Sequence, residues 1–262
     1  MRTLVLVVCI LGFWSGEFAA AQAPKEIKFP DNTDGQLPKT TDADIAAKPA
    51  EAGPVMVTIN HTKNVTTAGW KTLAQKFPGI IVLMAGSGSL DDEGLAAFGG
   101  CTQLSDLAFE NTAVSDVGLS ALQKLTKLNL LVVRNTKVTD AGVGPFIDKQ
   151  PLLYLDVSRT TCGDKTVQRL AQSKAIKLMT LHLNACPLTD AAAADLAKLT
   201  TVKFLFVEDT PLTDAAIPEL GKMASLKYIF LNGTKITPAG EEALQKLLPR
   251  VTLMPRSGLW QY

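Results

Sequence analysis

The chain has 262 residues, 47% hydrophobic and 19% charged, with a net charge of +1. That is apolar material enough for one large domain or two small ones. The charge balance supplies no field of one sign to gather nucleic acid or an anionic membrane, and no block of like charges occurs.

The first residues, MRTLVLVVCILGFWSGEFAAAQA, have the layout of a secretory leader. Arg2 is the basic start, and residues 4–14 form an apolar run too short to span a bilayer. Ala19-Ala20-Ala21 fits the small-residue cleavage rule, so cleavage is expected after Ala21. Cleavage after Ala23 would put Pro24 first, and Val8 is not the small residue that a lipoprotein signal places before its cysteine. The alternative is an uncleaved anchor. No other apolar run is long enough to cross a membrane. The reading is therefore an exported protein, secreted, periplasmic or at the cell surface, with no membrane contact after cleavage. Loss of Arg2 and Glu17 leaves 25 basic and 24 acidic residues, again +1.

Cys101, Cys162 and Cys186 then remain, an odd number that does not read as a disulfide framework. With only His61 and His182, and no close Cys/His spacing, neither a metal nor another cofactor is expected. Residues 22–53, rich in Pro, Ala and charge, read as a flexible spacer or as a small N-terminal cap.

From residue 54 to 254 one pattern returns. The decapeptide RNTKVTDAGV (134–143) has near-copies at 110–119, 208–217 and 232–241. Aligned on its acidic residue, the copies fall at Asp92, Asp116, Asp140, Asp164, Asp190 and Asp214, with Pro238 in the next register. The steps are 24, 24, 24, 26, 24 and 24 residues. A weaker copy at 61–70 places Thr67 in that position, 25 before Asp92, which makes eight units. A period in the twenties points to a solenoid. In LSDLAFENTAV (104–114), Leu107 and Phe109 fall on one side of a short strand. The Asp that follows reads as the N-cap of a short helix, whose apolar stripe is Leu119, Leu122 and Leu125. In the last unit Thr237 can cap, with Pro238 at the first helical position. A unit with two apolar faces can bury both only when stacked on its neighbours.

These residues resemble the leucine-rich repeat family. LMTLHLNACPL (178–188) matches LxxLxLxxN/CxL, with Cys186 on the N/C position, where other units carry Thr112, Thr136, Thr160, Thr210 and Thr234. The VTDAG-type continuation is similar to the cysteine-containing subclass. Gly88 breaks the Thr column, so the first two units are expected to be less regular. The resemblance implies an α/β solenoid of about eight repeats, one parallel strand and one short helix each, ending in a short tail at 255–262. It also implies binding through the concave face of the sheet.

Three columns of residues should face outward there. The first is Met56, Val82, Asp106, Leu130, Tyr154, Thr180, Phe204 and Tyr228. The second is Thr58, Met84, Ala108, Val132, Asp156, His182, Phe206 and Phe230. The third is Asn60, Gly86, Glu110, Arg134, Ser158, Asn184, Glu208 and Asn232. Tyr154, Phe204, Phe206, Tyr228 and Phe230 gather on the later units, as a contact surface would. Asp156, His182, Arg134 and Glu208 stand around them to set orientation. The expected ligand is a protein or peptide, with carbohydrate as an alternative. The patch could instead be covered by residues 22–53, by the tail, or by a second copy in a homodimer. A structural or self-assembling role is the main competing function. A hydrolase built on Asp156, His182 and Ser158 is disfavoured, because Ser158 and Asp156 share a strand and a face whereas a triad needs the base between them. The three cysteines map to interior positions and are expected to be reduced, with a Cys162–Cys186 bridge as the alternative.

Overall fold

A computed structural model describes residues 24–29, 40–59, 62–86, 88–174 and 176–254. The leader, the cleavage site and the tail at 255–262 lie outside the described residues.

Eight strands carry the repeats: β2 (Val55–Ile59), β3 (Ile80–Ala85), β4 (Asp106–Phe109), β5 (Leu130–Val132), β6 (Tyr154–Asp156), β7 (Thr180–His182), β8 (Phe204–Phe206) and β9 (Tyr228–Phe230). β1 (Lys25–Lys28) and β10 (Thr252–Met254) flank them. The ten described strands lie in one sheet in chain order, and every pair is parallel. Parallel neighbours need a crossover. A helix lies in each one: α1 (Asp42–Ala47), α2 (Thr67–Lys76), α3 (Asp92–Ala96), α4 (Asp116–Ser120), α5 (Asp140–Lys149), α6 (Asp164–Gln172), α7 (Ala192–Leu196), α8 (Ile217–Leu220) and α9 (Pro238–Leu247). This is a leucine-rich-repeat solenoid. Leu107, Leu131, Leu155, Leu181, Leu205 and Ile229 pair in register as one column, fully buried in a core shared with the helices. The three-residue spacing of Leu119, Leu122 and Leu125 has a backbone cause. After α4 the chain continues in tight turns, with Leu122 N–H donating to Leu119 O and Leu125 N–H to Leu122 O.

The segment read as spacer or cap contributes β1 and α1. Ile27, Phe29 and Ile45 join the core, and β1 pairs along its whole length with β2. Thr41 and Asp44 form a reciprocal capping box on α1. Thr41-Asp42 thus repeats the Thr-Asp step of the decapeptide, and Asp42 Oδ1 accepts from the Thr66 N–H of the next unit at 2.8 Å. The irregularity of the early units is local: the register shifts between Val55 and Met56, so that Val55 faces Ile80 while Met56 faces Val82.

The aspartate at the start of each helix is not its cap. The preceding residue is: Thr66, Asp91, Ser115, Thr139, Thr213 and Thr237 accept from their own helix backbones. The aspartate reaches sideways to the next repeat. Asp116 takes the Thr139 N–H at 2.8 Å and its hydroxyl at 2.6 Å; Asp190 takes those of Thr213 at 2.7 and 2.6 Å. Asp92 with Ser115, Asp164 with Thr189, and Asp214 with Thr237 repeat the contact. Gly163 has no hydroxyl to offer, so Asp140 takes its N–H at 2.9 Å and then the N–H and hydroxyl of Thr166 at 2.9 and 2.6 Å. This interlock explains the glycine of the TDAG motif. A Cβ on Gly142 would meet Asp116 Oδ1 at 2.0 Å, and one on Gly240 would meet Asp214 Oδ1 at 2.1 Å.

Asp140→Ala should therefore cost about 1–3 kcal/mol, because it strips donors in the adjacent repeat of their acceptor. A double-mutant cycle with Thr166→Val checks the cause. Coupling of about 1 kcal/mol is expected, and zero coupling would return the aspartate to its own helix.

The turn after each of β4 to β9 passes through left-handed backbone, at Asn111, Asn135, Arg159, Ala185 and Asp209, then at Gly233. Asn, Asp and Gly accept this conformation readily. It directs each N–H to the neighbouring turn, as from Asn135 to Ser158 O and from Asp209 to Asn232 O.

Cys101, Cys162 and Cys186 are free and buried. Burial pushes Cys162 up to about 11 and Cys186 to about 12. All three should resist thiol reagents in the native state and react without reductant in denaturant. Finding a single reactive thiol would reveal a bridge.

Candidate functional site

The strand register sets two of the three expected columns side by side on the face away from the helices: Asp106, Leu130, Tyr154, Thr180, Phe204 and Tyr228 pair in sequence, as do Ala108, Val132, Asp156, His182, Phe206 and Phe230. The aromatic residues do not stand open as a set. Tyr154, Phe206 and Phe230 are buried, Phe204 is half-buried, and Tyr228 is 37% exposed. Toward the N-terminal end, Val82, Met84, Ala108, Leu130, Val132 and Tyr154 form a second apolar cluster, separate from the main core.

Stacking accounts for much of the difference. At a strand spacing of about 4.8 Å, flat rings on neighbouring strands can lie face to face. His182 and Phe206 stack with centroids 3.8 Å apart, and Phe206 and Phe230 with centroids 4.0 Å apart. Phe206 is thus covered on both faces. Tyr154 closes the other end, its hydroxyl 2.9 Å from His182 Nε2. Phe204 and Tyr228 form a separate parallel pair, centroids 5.2 Å apart.

Asp156 and His182 are paired across the strands, but the carboxylate is engaged elsewhere. Arg134 donates to Asp156 Oδ2 through Nη2 at 2.7 Å and Nε at 3.1 Å, and the Ser158 N–H reaches Oδ1 at 2.8 Å. Glu110 lies 3.9 Å from the far side of Arg134. Burial alone would raise the Asp156 carboxyl, yet the Arg134 charge and the Ser158 hydrogen bonding hold it below its usual value. Burial, with the Arg134 charge acting in the same direction, pushes His182 down to about 4 against the opposing pull of Asp156. His182 is therefore a neutral ring packed between Tyr154 and Phe206. The Asp–His–Ser constellation weighed above is not assembled, because the histidine bonds to Tyr154 and the aspartate to Arg134.

Glu208 forms a third group. Its carboxylate accepts from Asn232 Nδ2 at 3.0 Å and Asn184 Nδ2 at 3.2 Å, while its own N–H donates to Asn184 Oδ1 at 2.8 Å. Burial raises its pKa, and among the described residues no cation pairs with it. Asn184, Asn232 and Glu110 brace these charges and were not singled out from the sequence. Their signal was their place in the same outward column.

No family model matches the chain, and no curated protein matches it. Solved structures give partial likenesses. A chain of the yeast Rad7–Elc1 complex is 16% identical, with 76% of this chain and 68% of that one covered and a TM-score of 0.41. A chain of the complex of the Arabidopsis receptor kinase HAESA with the peptide hormone IDA and the co-receptor SERK1 is 14% identical, with a TM-score of 0.49; the match spans 78% of this chain and 39% of that one. These likenesses concern the fold alone.

Proposed function

We propose that this protein is an exported, non-catalytic scaffold that takes a protein or peptide segment on the sheet face away from its helices, at the end formed by β8 and β9. Export rests on the leader-like N-terminus. The observation that carries the binding reading is the Phe204–Tyr228 pair, two rings held flat on adjacent strands and still open, on the same stretch of sheet as a Glu208 carboxylate that no cation pairs with among the described residues. An exposed aromatic anchor beside a partly desolvated charge is the composition of an interface centre. The faces of Phe206 are spent on His182 and Phe230, so that ring offers no platform to a sugar. Burial of His182 and its bond to Tyr154 argue against hydrolysis.

Phe204→Ala with Tyr228→Ala should abolish capture of partners from the medium or envelope fraction of the source cells, a loss of about 2 kcal/mol or more. Stability should change little, since neither ring belongs to the core. Val117→Ala, at a residue 70% exposed on the helix side, should leave capture unchanged. Equal capture by all three proteins would contradict the reading. Phe206→Ala is unsuitable as a binding probe, because that ring is buried between two others and its loss should destabilise the fold.

A further inference from the structure

The net charge of +1 conceals a segregation between the two edges of the solenoid. Each unit runs from helix to strand along one edge and from strand to helix along the other. The helix-to-strand edge, 121–129, 149–153, 171–179, 197–203, 221–227 and 245–251, carries eleven cations and no carboxylate. The strand-to-helix edge, 110–117, 134–141, 158–165, 184–191, 208–215 and 232–239, carries eight carboxylates and five cations. No block of like charge shows along the sequence, because a whole unit of chain separates neighbours on an edge.

The cations of the basic edge form two rows. One lysine stands at or just after the end of each helix from α4 to α9: Lys124, Lys149, Lys174, Lys198, Lys222 and Lys246, all exposed. Lys127, Lys177 and Arg250 stand exposed ahead of their strands, and Lys203 and Lys227 immediately precede the open rings Phe204 and Tyr228. Lys203 and Lys227 are stacked on each other: Lys203 N–H donates to Met179 O and Lys227 N–H to Lys203 O, both at 2.8 Å. Lys198, Lys222 and Lys246 pair with Asp195, Glu219 and Glu242 of their own helices. Among the described residues no ion pair reaches Lys174, Lys177, Lys203, Lys227 or Arg250. Helix ends favour lysine on their own account. That does not explain both rows: α4 and α7 have five residues and α8 has four, and the second row is not at a helix end.

Consecutive units lie about 5 Å apart on the sheet and about 8–10 Å apart between packed helices. An extended peptide places side chains on one side about every 6.6 Å. Carboxylates at alternate positions therefore meet successive lysines. Glu208 lies four residues beyond Phe204, about 13 Å along the chain, and repels a carboxylate from that end. At physiological salt charge acts over about 8 Å, so the acidic edge does not cancel the basic one. A single-stranded nucleic acid fits less well. It needs rings along the length of its groove, and the open pair is confined to β8 and β9.

We propose that the partner segment taken at the β8–β9 end is acidic, its carboxylates held by the lysine rows of the helix-to-strand edge, with Lys203 and Lys227 at the centre. This rests on the reading above that a peptide binds beside Phe204 and Tyr228.

The test is fluorescence anisotropy of the full chain with a fluorescein-labelled peptide of alternating Glu and Ser. A length of about twelve residues spans about 40 Å, as much as the lysine rows. The acidic probe should bind, and a matched Lys–Ser probe should not. Lys203→Glu with Lys227→Glu should weaken binding about tenfold or more, and the Gln pair by less. Lys137→Glu with Lys235→Glu, the same charge change on the opposite edge, should leave it unchanged. Circular dichroism should show all these variants folded. No binding of the acidic probe, or equal binding by the Lys203/Lys227 variants, overturns the proposal. Tighter binding of an oligo-dT of equal charge, or of phosphatidylglycerol vesicles, overturns it in favour of nucleic acid or membrane. Phe204→Ala with Tyr228→Ala separates the proposal from the reading on which it rests. A probe lost with the lysines but kept without the rings upholds the basic edge and removes the rings from the site.

Discussion

Leu155→Ala is expected to destabilise the protein by about 2–5 kcal/mol. The side chain has no exposed surface and lies in the middle of the buried column, with Leu131 on one side and Leu181 on the other. Its neighbours are fixed by strand pairing, so they cannot close over the cavity. The cost therefore combines lost transfer energy with the cavity left behind. In a solenoid each repeat contacts only its neighbours, so the damage should centre on repeats β5 to β7. Denaturant unfolding gives the total, and hydrogen exchange gives the place. A cost below about 1 kcal/mol would mean that Leu155 does not sit in the column.

Stability should fall as pH drops from about 6.5 to about 4. The unfolded chain binds a proton at His182 near the ordinary value of 6.5, while the folded chain takes it only near 4. In that window the unfolded state holds more protons, so acid favours it. About 2.5 pKa units corresponds to roughly 3 kcal/mol. Asp156 acts in the same direction at lower pH: its carboxyl is depressed in the fold, and the stability it contributes is lost once it protonates. Unfolding followed across this range should show the slope, and His182→Gln should remove most of the part above pH 4. A His182 ring titrating near 6.5 by NMR, or an unchanged slope in His182→Gln, would contradict the packing described here.

The period of the repeat, the strand columns and their register were legible because a solenoid writes the same constraint once per turn. Leu107 through Ile229 and the outward columns could be aligned by counting residues. Three features were not legible. The aspartate of TDAG looks like a helix cap, since Asp is a good one; only three dimensions show its carboxylate lodged against the glycine of the next repeat. β1 and α1 were hidden because a terminal unit is atypical and 22–53 has the composition of a linker; Thr41-Asp42 was the available signal. On the candidate site, the alignment of the aromatic residues was readable but their exposure was not. Whether Phe206 is open depends on His182 and Phe230 lying flat against it, a matter of rotamers that spacing does not encode. The same holds for Asp156, whose neighbour in register is His182 but whose hydrogen bonds come from Arg134 and Ser158.

We propose that partners bind at the β8–β9 end of the sheet face. Site-directed photo-cross-linking tests it most directly, with benzoylphenylalanine replacing Tyr228 in one protein and Val117 in another, each irradiated in the source cells. The expected result is a discrete adduct with another protein from position 228 and none from position 117, retained when residues 255–262 are removed. Adducts from position 117 alone, or from neither position, would contradict the claim.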